Sequence, residues 1–199
     1  MEPLVLASTS PYRRELLARL QIPFVTAAPE IDETPHPHEA PDRLALRLSR
    51  EKAQAVSSRF PDRLIVGADQ VALLGGRLLS KPKGHEEALK QLQTASGKFM
   101  QFYTGVALLN ARTGRCLADV VPCRVYFRHL TPEELEAYLE REKPYDCLGA
   151  FRAEGLGIAL FRRIETEDPT ALVGLPLIKL VSFLRRFRVA LFKPERTTL

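Results

Sequence analysis

Cysteine is scarce in this chain of 199 residues, and long apolar runs are absent. The cysteines are three in number and widely spaced: Cys116, Cys123 and Cys147. An odd, scattered set is typical of reduced thiols in the cytoplasm and argues against a disulfide framework or a zinc site. No apolar run is long enough to cross a bilayer. We expect no secretory leader, because Glu2 precedes only a short apolar run and Arg13 follows soon after. We therefore expect a cytoplasmic protein without a membrane partner.

Familiar nucleotide-binding signatures are also missing. No Walker motif or kinase signature occurs, and Gly155 and Gly157 do not complete a dinucleotide-binding GxGxxG. The net charge is +5, and part of it lies near the C-terminus in Arg185, Arg186, Arg188, Lys193 and Arg196. Such a run is usually a solvated helix end, and no RNA-binding signature accompanies it. The charge permits an anionic ligand, but no stable nucleic-acid partner is expected.

The distribution of apolar residues predicts an α/β fold. Hydrophobic residues make up 45% of the chain and charged residues 27%, which is enough for a real core. Strand-like and helical patterns alternate from end to end without an internal repeat or linker, so we expect a single domain over residues 1–199. Strands are predicted at 4–6, 24–28, 64–74, 77–79, 99–110, 116–129 and 156–164. Helices are predicted at 11–20, 42–60, 84–96, 131–143 and 176–187, and the end from Pro194 is expected to fray.

The first twenty residues carry the clearest local signal. A short apolar run breaks at a Ser-Thr-Ser-Pro turn, where Ser10 suits a helix N-cap and Pro11 suits the first helical position. A helix N-terminus presents free N–H groups to an anion. Arg13 follows on the apolar face of this helix, where a guanidinium favours phosphate or carboxylate. The alternative is an amphipathic helix with solvated arginines.

Charged residues that interrupt apolar segments are further candidates, because a buried charge without a partner is costly. Asp69 stands in mid-strand, where it needs a cation, a metal or a water unless backbone N–H groups satisfy it. Lys52 falls on the apolar side of its helix, although a snorkelling lysine is an alternative. Lys81 is held extended before a proline. Glu33 belongs to an acidic loop that could help to hold a divalent cation. Both of the last two could instead be solvated loop charges.

These residues share one chemical logic. Arg13, Lys52 and Lys81 would neutralise phosphates, and Asp69 and Glu33 would hold a metal or orient a water. Charge stabilisation, a bridging metal and an aligned nucleophile are what hydrolysis of a phosphoanhydride requires.

The order of motifs along the chain resembles the Maf family of nucleotide pyrophosphatases. The matching segments, in order, are LASTSPYRRELL, APEIDETP, LSREKAQAV, IVGADQV, SKP, FYTGVAL, FRAEGLGIALF and DPTALVGLPL. They cover nearly the whole chain. The resemblance implies an elongated mixed sheet flanked by helices, with two lobes and a central cleft. It also suggests a homodimer.

The resemblance further implies an enzyme that hydrolyses a nucleoside triphosphate to the monophosphate and pyrophosphate. The expected cofactor is a divalent cation, Mg²⁺ or Mn²⁺, held by Glu33 and Asp69. Asp69 is then the proton acceptor, with Glu33, Lys52 and Lys81 as the other catalytic residues. Ser8 and Arg13 would bind the substrate phosphates.

Tyr12, Gln70 and Glu154 resemble the 7-methyl-GTP subgroup rather than members that carry Arg, Thr and Gln there and favour dTTP and UTP. Methylation at N7 puts a positive charge on guanine, which an aromatic face attracts by about 0.5–2 kcal/mol. A carboxylate accepts hydrogen bonds from the N1–H and N2–H edge of guanine, which no pyrimidine copies. Without the resemblance, Tyr12 and Glu154 are equally well explained as a surface aromatic and a solvated loop carboxylate.

The sequence therefore predicts a 7-methyl-GTP pyrophosphatase that clears a modified nucleotide. Two alternatives stay open. One is a pyrophosphatase for dTTP and UTP, or for a broader set of nucleotides. The other is a nucleotide-binding regulator of septum formation without meaningful catalysis.

Overall fold

The computed structural model describes residues 2–192, which form a seven-stranded sheet with helices packed on it. The strands are β1 (Leu4–Ala7), β2 (Phe24–Ala27), β3 (Leu64–Leu74), β4 (Arg77–Leu78), β5 (Phe99–Asn110), β6 (Cys116–Phe127) and β7 (Phe161–Thr166). The helices are α1 (Pro11–Ala18), α2 (Pro41–Ala55), α3 (His85–Ala95), α4 (Pro132–Glu142) and α5 (Leu177–Arg186). Within these residues, no helix is both long enough and apolar enough to span a membrane. Lys193 and Arg196 of the basic run, and the fraying expected from Pro194, lie outside the described residues.

The sheet is mixed, which confirms the predicted fold class. Its strand order is β2-β1-β3-β5-β6-β7, with β4 paired to β3. β1 is parallel to both of its neighbours, whereas β3, β5, β6 and β7 pair antiparallel. On one edge of β3, β1 pairs with residues 65–67 and β4 pairs with residues 73–74. No strand of the described chain covers this edge at residues 68–72, so the middle of β3 forms the floor of a cleft.

Helix ends follow the local signals in the sequence. The side chain of Ser10 accepts a hydrogen bond from the Arg13 N–H, and Pro11 opens α1, as predicted. Thr131 and Glu134 form a complete capping box at the start of α4. The turn between β3 and β4 consists of Gly75 and Gly76, which both adopt positive φ angles that other residues rarely accept. These local features fix where the chain reverses and therefore which residues reach the cleft.

The strand predicted at 156–164 is only partly correct. Residues Leu156–Leu160 form a 3₁₀ turn, and the strand runs from Phe161 to Thr166. The Leu156 N–H donates to the Glu142 carboxylate at 2.8 Å, which draws this backbone towards the end of α4. A Cβ at Gly157 would lie 2.3 Å from the Arg152 carbonyl oxygen, so the turn packs on its own preceding segment. These contacts stop residues 156–160 from joining the sheet.

The buried side chains form distinct clusters towards the two ends of the long central strands. One cluster includes Phe102 and Phe127 together with residues of α3 and α4. Another includes Leu108 and Val66 together with residues of α1 and α5. The open edge of β3 lies between these clusters, which matches the expected arrangement of two lobes and a cleft.

Helix α2 lies directly on two glycines of the sheet. A Cβ at Gly67 would be 2.1 Å from the Ser49 carbonyl oxygen, and a Cβ at Gly105 would be 2.2 Å from the Ala45 carbonyl oxygen. Gly105 is the β5 partner of Asp69 in β3. Because any side chain at these positions would push the helix away, the two glycines set the distance between α2 and the floor of the cleft.

We expect Gly105→Ala to lower the free energy of unfolding by about 1–3 kcal/mol, because the added methyl group meets backbone that cannot give way. Urea unfolding monitored by circular dichroism measures this change. Gly84→Ala is the matched control, since a Cβ at Gly84 meets nothing within 4 Å. Equal unfolding midpoints for the two variants would contradict the role given to the glycine contact.

Candidate active site

The cleft encloses a cavity of about 610 Å³ above the open edge of β3. All the site residues predicted from the sequence line it: Ser8, Tyr12, Arg13, Glu33, Lys52, Asp69, Gln70, Lys81 and Glu154. They come from segments that are far apart in the sequence. The structure therefore brings the whole predicted set together, while the role of each residue stays a prediction.

A lysine bound by two carboxylates forms the centre of the cavity. The Lys52 Nζ donates to Asp69 Oδ1 at 2.5 Å and lies 2.7 Å from Glu33 Oε1. Lys52 and Asp69 are each only 6% exposed, whereas Glu33 is largely exposed. Burial raises the pKa of Asp69, and the charges of Lys52 and Arg13 oppose that rise. A carboxylate with a raised pKa that faces a cavity is suited to accept a proton.

Arg13 and Ser8 provide groups for an anion beside this centre. The Arg13 Nε donates to the Gly174 carbonyl oxygen at 2.9 Å, and neither terminal nitrogen has a hydrogen-bond partner among residues 2–192. Burial lowers the pKa of Arg13 from its very high ordinary value, and the nearby Asp69 and Glu33 oppose that change. Ser8 is buried and accepts a hydrogen bond from the Ser10 N–H at 3.1 Å. Lys81 is exposed at the rim, where a flexible ammonium can follow a phosphate.

Gln70 is held by the loop that precedes α5. Its Nε2 lies 2.9 Å from the Ala171 carbonyl oxygen and 3.1 Å from both the Leu172 carbonyl oxygen and Thr104 Oγ1. These partners are mainly acceptors, so the amide nitrogen faces the loop and the amide orientation is set. Gln70 therefore contributes a fixed wall to the cavity.

The loop that holds Gln70 depends on a buried carboxylate that the sequence analysis did not single out. Asp168 is 2% exposed, and its Oδ1 accepts hydrogen bonds from the N–H and the hydroxyl of Thr170. Its Oδ2 accepts from the Ile178 N–H at 2.7 Å, at the start of α5. The Asp-Pro-Thr sequence at 168–170 is a typical capping pattern and could have indicated this role.

The acidic loop that carries Glu33 is fastened to α2 by Arg47, which the sequence analysis also missed. Arg47 binds the Glu39 carboxylate in a two-pronged contact, with Nε–Oε1 at 2.7 Å and Nη2–Oε2 at 2.8 Å. Its Nη2 also donates to the Thr34 carbonyl oxygen at 3.1 Å, next to Glu33. The i,i+4 spacing to Glu51, at 2.9 Å, is the only sequence signal for Arg47.

The lining of the cavity also includes an aromatic ring and a carboxylate that are not part of the Lys52 centre. Tyr12 is partly buried in the first turn of α1, and Glu154 is exposed with no ion pair to any residue from 2 to 192. The loop that carries Glu154 contains two successive positive φ angles, 82° at Gly149 and 60° at Ala150. A buried alanine in this left-handed conformation costs about 1 kcal/mol or more, a strain that is typical of functional loops.

The donor set of the cavity fits a magnesium-like cation. Glu33 and Asp69 each contact the Lys52 ammonium through one carboxylate oxygen, and the second oxygen of each has no hydrogen-bond partner among residues 2–192. No cluster of three or more His, Cys, Asp or Glu residues with metal-binding geometry occurs in the described chain. Mg²⁺ typically uses one or two carboxylates and completes its shell with water and substrate phosphates. Two carboxylates beside a phosphate site therefore suit it.

Two comparisons with known proteins show what the chain is similar to. A family model described as "Maf-like protein" matches residues 3–187. A protein of Nitrosococcus oceani named 7-methyl-GTP pyrophosphatase is 54% identical over 183 residues, which is 92% of each chain. Both findings confirm the resemblance drawn from the sequence motifs.

The Arg47–Glu39 contact predicts a pH-dependent stability. Hydrogen bonds from Arg47 lower the pKa of Glu39 from 4.5 to about 2. The unfolded chain therefore takes up this proton first as the pH falls. The stabilisation is present above about pH 4.5 and is lost as the pH falls towards 2. We expect Glu39→Gln to unfold at lower urea than the wild type at pH 7, with a difference that shrinks below pH 4.5.

Glu86→Gln is the control for this experiment. Glu86 also pairs with a cation, Lys90, at 2.9 Å, but both side chains are exposed and hold no loop. Exposed pairs contribute little to stability, so its urea midpoint should stay close to that of the wild type. A Glu39→Gln difference that is unchanged from pH 7 to pH 3 would contradict the assignment.

Proposed function

Because the chain belongs to the Maf family, we propose that it is a nucleoside triphosphate pyrophosphatase that converts 7-methyl-GTP to 7-methyl-GMP and pyrophosphate. The observation that carries this proposal is that a single cavity is lined both by cations and by groups suited to a purine base. The cations are Arg13, Lys52 and Lys81, and the groups suited to the base are Tyr12 and Glu154. The name and high identity of the Nitrosococcus protein support the same substrate.

The cations that line the cavity suit the binding of a triphosphate and its hydrolysis. Asp69 would accept a proton from the attacking water, because burial raises its pKa and its carboxylate faces the cavity. The water oxygen would form a bond to the α-phosphorus while the bond between that phosphorus and the bridging oxygen breaks. Pyrophosphate would leave with that oxygen, and Arg13, Lys52 and Lys81 would stabilise its negative charge.

We further propose that Glu33 and Asp69 hold a divalent cation, Mg²⁺ or Mn²⁺. When bound, such an ion neutralises charge on the phosphate oxygens. Lys52 contacts one oxygen of each carboxylate, at 2.5 Å for Asp69 and 2.7 Å for Glu33, and so keeps the two carboxylates close together. Arg47 supports the same arrangement from behind, since it fastens the loop that carries Glu33 to the helix that carries Lys52.

Tyr12 and Glu154 suit a cationic purine. The ring of Tyr12 can stack on 7-methylguanine, where cation–π attraction adds to the stacking. The Glu154 carboxylate, which forms no ion pair within residues 2–192, can accept hydrogen bonds from N1–H and N2–H, and a pyrimidine has no matching pair of donors. Gln70 is fixed by backbone carbonyl groups, so it presents a constant surface to the base. These features favour 7-methyl-GTP over dTTP and UTP as the substrate.

A cytoplasmic location and a homodimer are also part of the proposal. The cysteines of the chain are all free thiols, which supports a reducing compartment. The homodimer rests on the family resemblance alone. A regulator that only binds nucleotide has less support, because binding alone would not require the buried Asp69 together with Glu33.

Asp69→Asn tests the chemical step. The amide cannot accept the proton, so pyrophosphate release should fall by at least about 100-fold while the fold is kept. Asp119→Asn is the matched control, since Asp119 is also a strand carboxylate paired with a lysine, Lys179 at 2.8 Å, but lies outside the cavity. Turnover at the wild-type rate in Asp69→Asn would contradict the assignment.

A titration of the metal-free protein gives an independent test of Asp69. Because burial raises its pKa above 3.8, protonation should begin at a higher pH than for an exposed aspartate. We expect the Asp69 carboxyl, followed by NMR without a divalent cation, to titrate with a midpoint above 3.8, and Asp119→Asn to leave this midpoint unchanged. A midpoint at or below the ordinary aspartate pKa would contradict the role of Asp69 as proton acceptor.

A further inference from the structure

Tyr12 is hydrogen-bonded to two side chains that are distant in the sequence. Its hydroxyl donates to Asp146 Oδ2 at 2.8 Å and accepts from Arg152 Nε at 3.0 Å. Tyr12 belongs to α1, whereas Asp146 and Arg152 belong to the loop after α4. Tyr12 and Asp146 both line the cavity. These bonds therefore connect α1 to this loop beside the residue proposed to stack on the base.

The two partners of Tyr12 are themselves held in place. Arg152 Nη2 donates to Asp146 Oδ1 at 3.1 Å, and Nη1 donates to the Glu142 carbonyl oxygen at 3.2 Å. The Arg152 backbone N–H donates to the Tyr138 hydroxyl at 3.1 Å, which ties the loop to α4. The guanidinium can therefore move little, and the Tyr12 hydroxyl is confined between two fixed groups. This confinement fixes the position of the outer end of the ring.

The charges of the two partners also matter to a cationic base. The Arg152 Cζ lies 5.9 Å from the centre of the Tyr12 ring, within the range at which a cation interacts with an aromatic face. Alone, this guanidinium would repel a second cation stacked on the same ring. Burial raises the pKa of Asp146, but hydrogen bonds from Tyr12 and Arg152 outweigh that effect and lower it, so the carboxylate is ionised at neutral pH. Asp146 thus offsets the charge of Arg152.

We propose that Asp146 and Arg152 are positioning residues for the base of the substrate. They hold the Tyr12 hydroxyl, and with it the position of the ring on which a cationic purine stacks, and Asp146 together with Glu142 offsets the charge that Arg152 would otherwise present to that purine. This inference rests on the proposed function. It adds to Tyr12, Gln70 and Glu154 a pair of residues that act on selectivity through Tyr12.

The test uses Tyr12→Phe, which keeps the ring and removes its hydroxyl, and Asp146→Asn, which keeps the side-chain shape and removes its charge. KM and kcat are measured for 7-methyl-GTP and GTP, whose bases differ in charge. We expect each variant to lower the ratio of kcat/KM for 7-methyl-GTP over GTP by about threefold to tenfold, mainly through KM. Because Asp146→Asn leaves Arg152 with only one carboxylate partner, Glu142 at 3.5 Å, its loss should fall on the cationic substrate.

Matched controls exist elsewhere in the chain. Tyr126 donates its hydroxyl to Glu165 at 2.8 Å beside Arg163, outside the cavity, so Tyr126→Phe removes an equivalent bond. Asp62 pairs with Arg112 at 3.0 Å on the surface, so Asp62→Asn removes an equivalent charge. Both controls should keep the wild-type substrate ratio. Thermal unfolding of every variant verifies that the fold is retained.

The outcomes separate this inference from the proposed function. If the wild-type enzyme does not prefer 7-methyl-GTP, the proposed function is overturned and this inference falls with it. If the wild type has the preference and both Tyr12→Phe and Asp146→Asn keep it, only the inference is overturned. Equal losses on 7-methyl-GTP and GTP would also overturn it, because they would indicate a structural role without selectivity for charge.

Discussion

The contact of Lys52 with Asp69 and Glu33 is the constraint on which the rest of the structure depends. Lys52 and Asp69 are almost fully buried, so each charge needs a partner of the opposite sign, and Glu33 still contacts Lys52 when Asp69 is made neutral. The contact exists only because α2 lies against the backbone at Gly67 and Gly105. The close approach of the helix to the sheet therefore produces both the buried ion pair and the raised pKa of the Asp69 carboxyl.

The remaining parts of the site are loops fixed to this centre by polar contacts. Arg47 fastens the acidic loop to α2, and Asp168 organises the loop whose carbonyl groups bind Gln70 and Arg13. Glu142 at the end of α4 holds the third loop through the Leu156 N–H. Each loop is thus held by a charged side chain that binds at least one backbone group of the loop, so the cavity walls are preorganised before a ligand arrives.

The fold and the central residues could be predicted because their signals are local. Ser10 and Pro11 at the start of α1, the glycine turn after β3 and the capping box of α4 each require only a few neighbouring residues, and all are found in the structure. Asp69 stood out because a carboxylate in an apolar strand needs a partner. The family motifs then supplied roles for these positions that charge and burial alone left open.

The remaining features depend on contacts between distant parts of the chain. The bonds from Tyr12 to Asp146 and Arg152 span more than 130 residues, and no periodicity or spacing indicates them. The 3₁₀ turn at 156–160 resembles a strand in its apolar content, and it leaves the sheet because Glu142 captures its backbone. In both cases a tertiary contact decides the local structure.

Pyrophosphate release from a panel of 7-methyl-GTP, GTP, dTTP, UTP and CTP, with magnesium, manganese or cobalt present, tests the central claim most directly. A cavity lined by cations together with Tyr12 and Glu154 predicts release from 7-methyl-GTP well above release from GTP and from every pyrimidine nucleotide. A preference for dTTP or UTP would contradict the assignment of Tyr12 and Glu154 to the base. The absence of pyrophosphate from every nucleotide would contradict the enzymatic function itself.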